Sequence, residues 1–224
     1  MAIQVQGNAG TVGEVDGTTF RAFRTTNRPV DHGSLGAYCH GNSTGILPAA
    51  LGGNSEIYQF RWVDATRLAV IRKITMSASV TTTFFAAGVP VEIDMVKATA
   101  WTGQGTGGTG LTPAALLKLR TSMGSTLVAT GDIRIATTAA LGAGTKTLET
   151  IPLALIVVGG PITASLAPTI VIPGTTLWES GVEQAGHPLV LAQNEGFIIR
   201  SVAVPATGTW RAAFNVSWSE VTAY

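Results

Sequence analysis

Four places in the chain hold residue types that do chemistry. Asp31, His32 and Ser34 are the acid, base and nucleophile types of a hydrolytic triad. Neighbours this close in sequence seldom point at one another in triad geometry, and Pro29-Val30-Asp31-His32-Gly33 reads as a turn. Cys39, His40 and His32 are metal-ligand types, with His187 far away in sequence. No pair among them has the spacing of a zinc site, so the reading is a buried thiol with loop histidines. Glu92 and Asp94 lie on one strand face and are the residue types of a glycosidase carboxylate pair. A sugar cleft also needs aromatic rings nearby, whereas Trp210 and Trp218 fall on the inward face of the last strand, and packing is the role assigned to them and to Trp62, Trp101 and Trp178. Gly103-Gln104-Gly105-Thr106-Gly107-Gly108 matches a dinucleotide fingerprint letter for letter, after a strand and before a helical stretch. In that fingerprint the helix begins at the glycines so that its amides meet the pyrophosphate; here Thr109-Gly110-Leu111-Thr112 and Pro113 intervene, and no βαβ pattern surrounds them. The segment reads as a mobile or partner-facing loop. No catalytic, cofactor-binding or metal residue is assigned, and no cofactor is expected.

The elements that would position such groups are almost all strands. In the last part of the chain Phe197 to Val204 is apolar almost throughout, and after Pro205-Ala206-Thr207-Gly208 the residues Trp210, Ala212, Phe214, Val216 and Trp218 fall on one face. Arg211, Ala213, Asn215, Ser217 and Ser219 fall on the other, the period of a strand packed on one side only. Ile57 to Trp62 is a strand, and Leu68, Val70, Arg72, Ile74, Met76, Ala78 and Val80 alternate with Ala69, Ile71, Lys73, Thr75, Ser77 and Ser79. Val91, Ile93 and Met95 alternate with Glu92 and Asp94 before the phase blurs at Val96 to Trp101, the sign of a bulge. Further short strands are expected near Asp132 to Ala136, Leu153 to Val158, Thr169 to Ile172 and Leu189 to Ala192, and one short helix over Pro113 to Arg120. Eight or so strands round one core predict an all-β antiparallel sandwich, with a jelly roll as the preferred topology; no fixed-period repeat points to a propeller or β-helix. Residues 1–55, rich in Gly, Asn and Thr, are expected to form an extended N-terminal arm, and residues 56–224 the sandwich domain.

Composition narrows the partners. Of 224 residues 46% are hydrophobic but only 12% are charged, with a net charge of +1. The 14 Lys and Arg are scattered singly rather than clustered as duplex binding requires, so no nucleic-acid partner is expected. A surface so poor in charge predicts cover by an assembly. Cys39 is the only cysteine, which rules out an internal disulfide. The N-terminal residues have neither the basic nor the apolar region of a signal peptide, and Ile151 to Ile172 is broken by Pro152, Gly159, Gly160, Pro161 and Pro168, so no membrane segment is expected. Asn42-Ser43-Thr44 and Asn215-Val216-Ser217 match the glycosylation pattern by chance in a chain with no expected secretory route.

Two stretches carry a resemblance. Lys118-Leu119-Arg120-Thr121-Ser122-Met123 with Asp132 to Leu141, and Pro188 to Arg200 with Thr207-Gly208-Thr209-Trp210, resemble structural proteins of tailed-bacteriophage virions, and Tyr58 to Ile74 adds to the likeness. The resemblance implies a non-enzymatic virion component, assembled in the bacterial host cytoplasm, and brings no site residues with it. With the low charge it leads to a β-sandwich that decorates or cements a capsid as a homotrimer against the major capsid protein. The alternatives are a tail, neck or fibre component, or a carbohydrate-binding host-attachment module, which needs an exposed aromatic platform.

Overall fold

The structure is a computed structural model that describes residues 5–6, 12–13, 36–48, 51–82, 90–113, 117–158, 170–180, 187–204, 207–222 and 224. The chain divides into two units, Met1–Val30 and Asp31–Tyr224. In the first, β1 (Val5–Gln6) and β2 (Val12–Gly13) form a short antiparallel ladder. In the second come β3 (Gly36–Ser43), β4 (Leu47–Pro48), β5 (Ser55–Trp62), β6 (Leu68–Val80), β7 (Val91–Gly103), β8 (Thr109–Gly110) and β9 (Leu117–Lys118). They are followed by β10 (Ile133–Ile135), β11 (Thr145–Leu148), β12 (Ala154–Val158), β13 (Ile170–Glu179), β14 (Leu189–Leu191), β15 (Glu195–Ala203) and β16 (Thr209–Val221).

These strands make two antiparallel sheets packed face to face, the expected β-sandwich. The first runs β11-β7-β15-β5-β10-β8, with β12 also on β7; the second runs β13-β6-β16-β3-β9, with β14 on β6 and β4 on β16. Between them lies an aromatic core. Trp210, Ala212, Phe214, Val216 and Trp218 are all buried on the inner face of β16, as their alternation predicts. Phe60 stacks on Phe197 at 5.3 Å and meets Trp218 edge-on at 5.4 Å, while Tyr58 lies 5.2 Å from Phe214. Aromatic pairs at such spacings add to burial, which is the main driving force here.

Four expectations change. No α-helix occurs among the described residues: of Pro113 to Arg120, residues 114–116 lie outside them, and Leu117–Lys118 pairs with Tyr38 and Cys39 as strand β9. A helix of two turns is marginal by itself, and an open sheet edge offers Leu117 and Lys118 their backbone partners instead. The arm does not extend to residue 55, because β3 pairs with β16 from Gly36 to Ser43 and β4 pairs with the start of β16. With Gly36, Gly41 and Ser43 in the strand, its own pattern is weak, and its neighbour supplies the order. In β6 the expected single face is broken: Ser217 opposes Lys73 but Trp218 opposes Ile71, so the β6–β16 register shifts by one residue at Arg72. This bulge puts Ala69 and Ile71, rather than Leu68 and Arg72, into the core with Ile74, Met76, Ala78 and Val80. In β7 the blurred phase has a second cause beside the bulge. Val96, Ala98 and Trp101 are buried on its outer face with Ile198 and the partly buried Leu148, while Lys97 and Thr99 between them are half-buried, so the covered face changes along the strand.

Replacing Phe214 by Ala should cost about 3–5 kcal/mol of stability, whereas Ser217→Ala should cost well under about 1 kcal/mol. Denaturant titration of both variants checks this; equal losses would mean that the two faces of β16 are reversed.

Candidate functional site

The outer face of the first sheet carries most of the paired charge. Asp94 and Arg200 are directly opposite in the β7–β15 ladder, and the guanidinium grips the carboxylate with two bonds, Nε donating at 2.9 Å to one oxygen and a terminal nitrogen donating to the other. Both oxygens of Asp94 are thus engaged, and the pair proposed from Glu92 and Asp94 becomes a half-exposed Glu92 beside a neutralised, buried Asp94. Arg61 on β5 donates to Oδ1 of Asp132 at 2.7 Å, and Gln104 donates to the same oxygen at 2.9 Å. Close to it, Glu56 pairs with Lys146 at 2.8 Å and accepts from Gln59 at 2.6 Å, and the ring of Trp101 covers the ammonium. Charges this well buried are tolerated because each has a partner; removing one member of such a pair leaves the other costly.

These contacts also settle the glycine loop. Thr106 and Gly142 exchange backbone bonds, Gln104 donates to the carbonyl of Thr130 at 3.0 Å, and Arg134 donates to the carbonyl of Gly107 at 2.6 Å. From there the chain enters strand β8, paired with β10, rather than a helix. The loop is held on both flanks instead of free, and its glycines serve close approach: Gly107 and Gly108 have φ of 74° and 55°, and a Cβ at Gly108 would collide with the carbonyl of Ile135.

Cys39 and His40 are successive residues of β3 and face opposite ways, His40 into the sandwich. There His40 Nε2 shares a hydrogen bond of 2.7 Å with the Tyr58 hydroxyl, its ring stacks on Tyr58 and meets Trp218 edge-on, and Nδ1 has no partner. His187 lies beside β14, across β16 and β6 from β3, and no cluster of metal-ligand types occurs among the described residues. Asp31, His32 and Ser34 lie outside the described residues. Burial lowers the His40 pKa to about 4, so the ring is neutral. Glu220, on the far side of Trp218 from His40, shifts the opposite way: burial raises it above 4.5 although Thr126, the Leu127 amide at 3.0 Å and the Trp218 indole at 3.3 Å all donate to it.

Among the described residues, two surfaces lie outside these networks. The outer face of the second sheet is built of small residues: Ser77, Ser79, Ser43, Ala213, Pro173 and Gly174 line a shallow groove of about 490 Å³ beside Arg211. At the other surface, β12 pairs only with β7 among the described residues, which leaves its second edge without a strand partner. Leu155 and Val157 on its outer side are 52% and 58% exposed, and Ile151 just before it is 76% exposed. All five tryptophans are buried, and Tyr224 is the one exposed aromatic ring among the described residues. The Glu56–Gln59–Lys146 cluster and the β12 edge escaped the sequence reading; the only hint of the edge was an apolar run without charge, Ala154 to Val158. No protein-family model matches the chain, and no curated protein matches it.

For His40 the folded-state pKa is below the unfolded 6.5, so its contribution is present above pH 6.5 and is lost as pH falls toward 4, by up to about 3 kcal/mol. For Glu220 the folded-state pKa is above 4.5, so its contribution is present below that pH and is lost as pH rises through the raised value. Urea titrations from pH 4 to 7.5 should therefore show His40→Gln flattening the acid limb and Glu220→Gln flattening the other. An acid limb unchanged in His40→Gln would show that His40 does not titrate with unfolding.

Proposed function

We propose that this protein is a structural subunit of a tailed-bacteriophage virion, a jelly-roll sandwich that decorates or cements the capsid through contacts with copies of itself, as a homotrimer, and with the major capsid protein. The observation that carries the reading is the β12 edge: an uncharged strand whose second edge has no strand partner among the described residues, with exposed Leu155, Val157 and Ile151. Soluble sandwiches usually guard such an edge with charge, proline or a covering loop, because it templates association. Here the strand itself, Ala154 to Val158, has none of those residues.

The topology supports the same reading. Numbering β3, β5, β6, β7, β12, β13, β15 and β16 as strands one to eight, the sheets run one-eight-three-six and two-seven-four-five. That order fits one long hairpin of strands folded over on itself and so supports the jelly-roll reading, a fold common among capsid proteins and lectins. A fold shared by so many functions names none of them, and what distinguishes this chain is its surfaces. The small, nearly neutral face of the second sheet is shaped for flat contact with another protein. The same features would serve a tail, neck or fibre component. For a carbohydrate-binding module the required aromatic platform is not found among the described residues.

The double variant Leu155→Lys/Val157→Lys should keep the melting temperature within a few degrees, since both side chains are exposed, but lower self-association and incorporation into particles that lack the protein. Light scattering across a concentration range and sedimentation with such particles measure both. Wild-type protein that stays monomeric and does not join particles overturns the proposal; a variant that joins as well as wild type moves the contact away from β12.

A further inference from the structure

Glu56 and Gln59 project from the outer face of β5, and Lys146 reaches them from β11. The three side chains meet out of water: that of Lys146 is 2% exposed, and that of Glu56 7%. One oxygen does two jobs in this cluster. Oε2 of Glu56 accepts from Nζ of Lys146 at 2.8 Å and from Nε2 of Gln59 at 2.6 Å. The amide is fixed in place by a further bond from Nε2 to the carbonyl of Gly142 at 3.1 Å, and its Oε1 is buried with no hydrogen-bond partner. Gly105 closes the site from above, where a Cβ would collide with Gln59 Oε1, and the Trp101 ring lies 4.5 Å from the Lys146 nitrogen.

A buried amine, a carboxylate and a carboxamide held on one carboxylate oxygen are the parts of an amide-transfer reaction. We propose that this cluster is a self-processing site that joins Gln59 to Lys146 by an isopeptide bond, with loss of ammonia. Glu56 takes a proton from the Lys146 ammonium, which frees the Nζ lone pair to attack Cδ of Gln59. As the new C–N bond forms and the Cδ–Nε2 bond breaks, Glu56 passes its proton to Nε2 and takes the second proton from Nζ. Ammonia leaves and carries that proton away as ammonium, which restores the carboxylate. Nothing is oxidised or reduced, and no co-reactant is consumed.

The geometry matches those proton movements. The nitrogen that must lose protons and the nitrogen that must gain one both touch the same oxygen, so a single residue acts as general base and then as general acid. Holding the amine and the carboxamide on one carboxylate oxygen replaces a bimolecular encounter with an intramolecular one. Desolvation lowers the Lys146 pKa against the opposing pull of Glu56, which favours the neutral amine the attack needs. A chain whose only cysteine is Cys39 cannot close a disulfide, and a link from residue 59 to residue 146 would restrict the unfolded chain as a disulfide over a long loop does.

The test is the mass of the full-length purified protein after prolonged incubation at neutral pH, followed by digestion and peptide sequencing. The expected result is a mass lower than that of the sequence by one ammonia and a branched peptide joining the segments that hold Gln59 and Lys146. Lys146→Arg, which keeps the charge, and Glu56→Gln should both retain the full mass. Full mass in the wild type with the two segments recovered as separate peptides overturns the proposal, as does ammonia lost from any other residue. Because the wild-type protein alone decides, a variant that fails to fold does not blur the result. The outcome is independent of whether the protein joins a virion.

Discussion

The packing of β16 against β5 and β15 is the contact on which the rest of the molecule depends. Phe214 and Trp218 from one sheet meet Tyr58 and Phe60 from the other, which stack on Phe197 within their own sheet; all are buried, and these rings set the separation of the sheets. Because β16 lies in the interior of the second sheet, its thirteen residues also order β6 on one side and β3 on the other. A strand as poor in apolar residues as β3 is held by that neighbour. His40 shows how much the core tolerates to keep this geometry: it accepts a neutral imidazole that gives up one hydrogen bond in return for a place between Tyr58 and Trp218.

Charge is spent unevenly on the two outer faces. With only 12% charged residues, the chain places Arg200 on Asp94, Arg61 on Asp132 and Lys146 on Glu56, all on the outer side of the first sheet. Those pairs tie the long connections, the 104–108 and 140–146 loops among them, down onto the strands. The second sheet's outer side has Lys73 with Glu179 at 3.0 Å and Arg211, which bonds to the Thr44 carbonyl and the Ser43 hydroxyl, and among the described residues is otherwise mostly small, Ser, Thr, Ala, Asn and Gly with Cys39 and Pro173. One face thereby holds most of the paired charge, and the other is left smooth and nearly neutral. Desolvating a smooth neutral face on contact costs little, whereas desolvating the paired face would disturb bonds already made.

The alternation in the sequence was enough to name the class and to place the inner face of β16, because a strand with one covered side must repeat every two residues. Short strand-like runs placed β5, β10, β12 and β14. The alternation misplaced the start of β6, at the bulge by Arg72, because a bulge resets the phase without changing composition. It read residues 36–48 as arm and Leu117–Lys118 as helix because both borrow their order from a neighbouring strand that no local window contains.

By itself the sequence determined an antiparallel β-sandwich, without disulfides, with its charges scattered along the chain. Only the tertiary structure decided which of those charges meet. Glu56 and Lys146 are ninety positions apart, Asp94 and Arg200 more than a hundred, and no spacing rule connects them. Their meeting depends on strand order across the sheet, in which β7 lies beside β15 and the loop before β11 folds over β5. Sheet order is set by the balance of packing over the whole core, which is why a chemically suggestive trio can be absent from every local pattern and present in the fold.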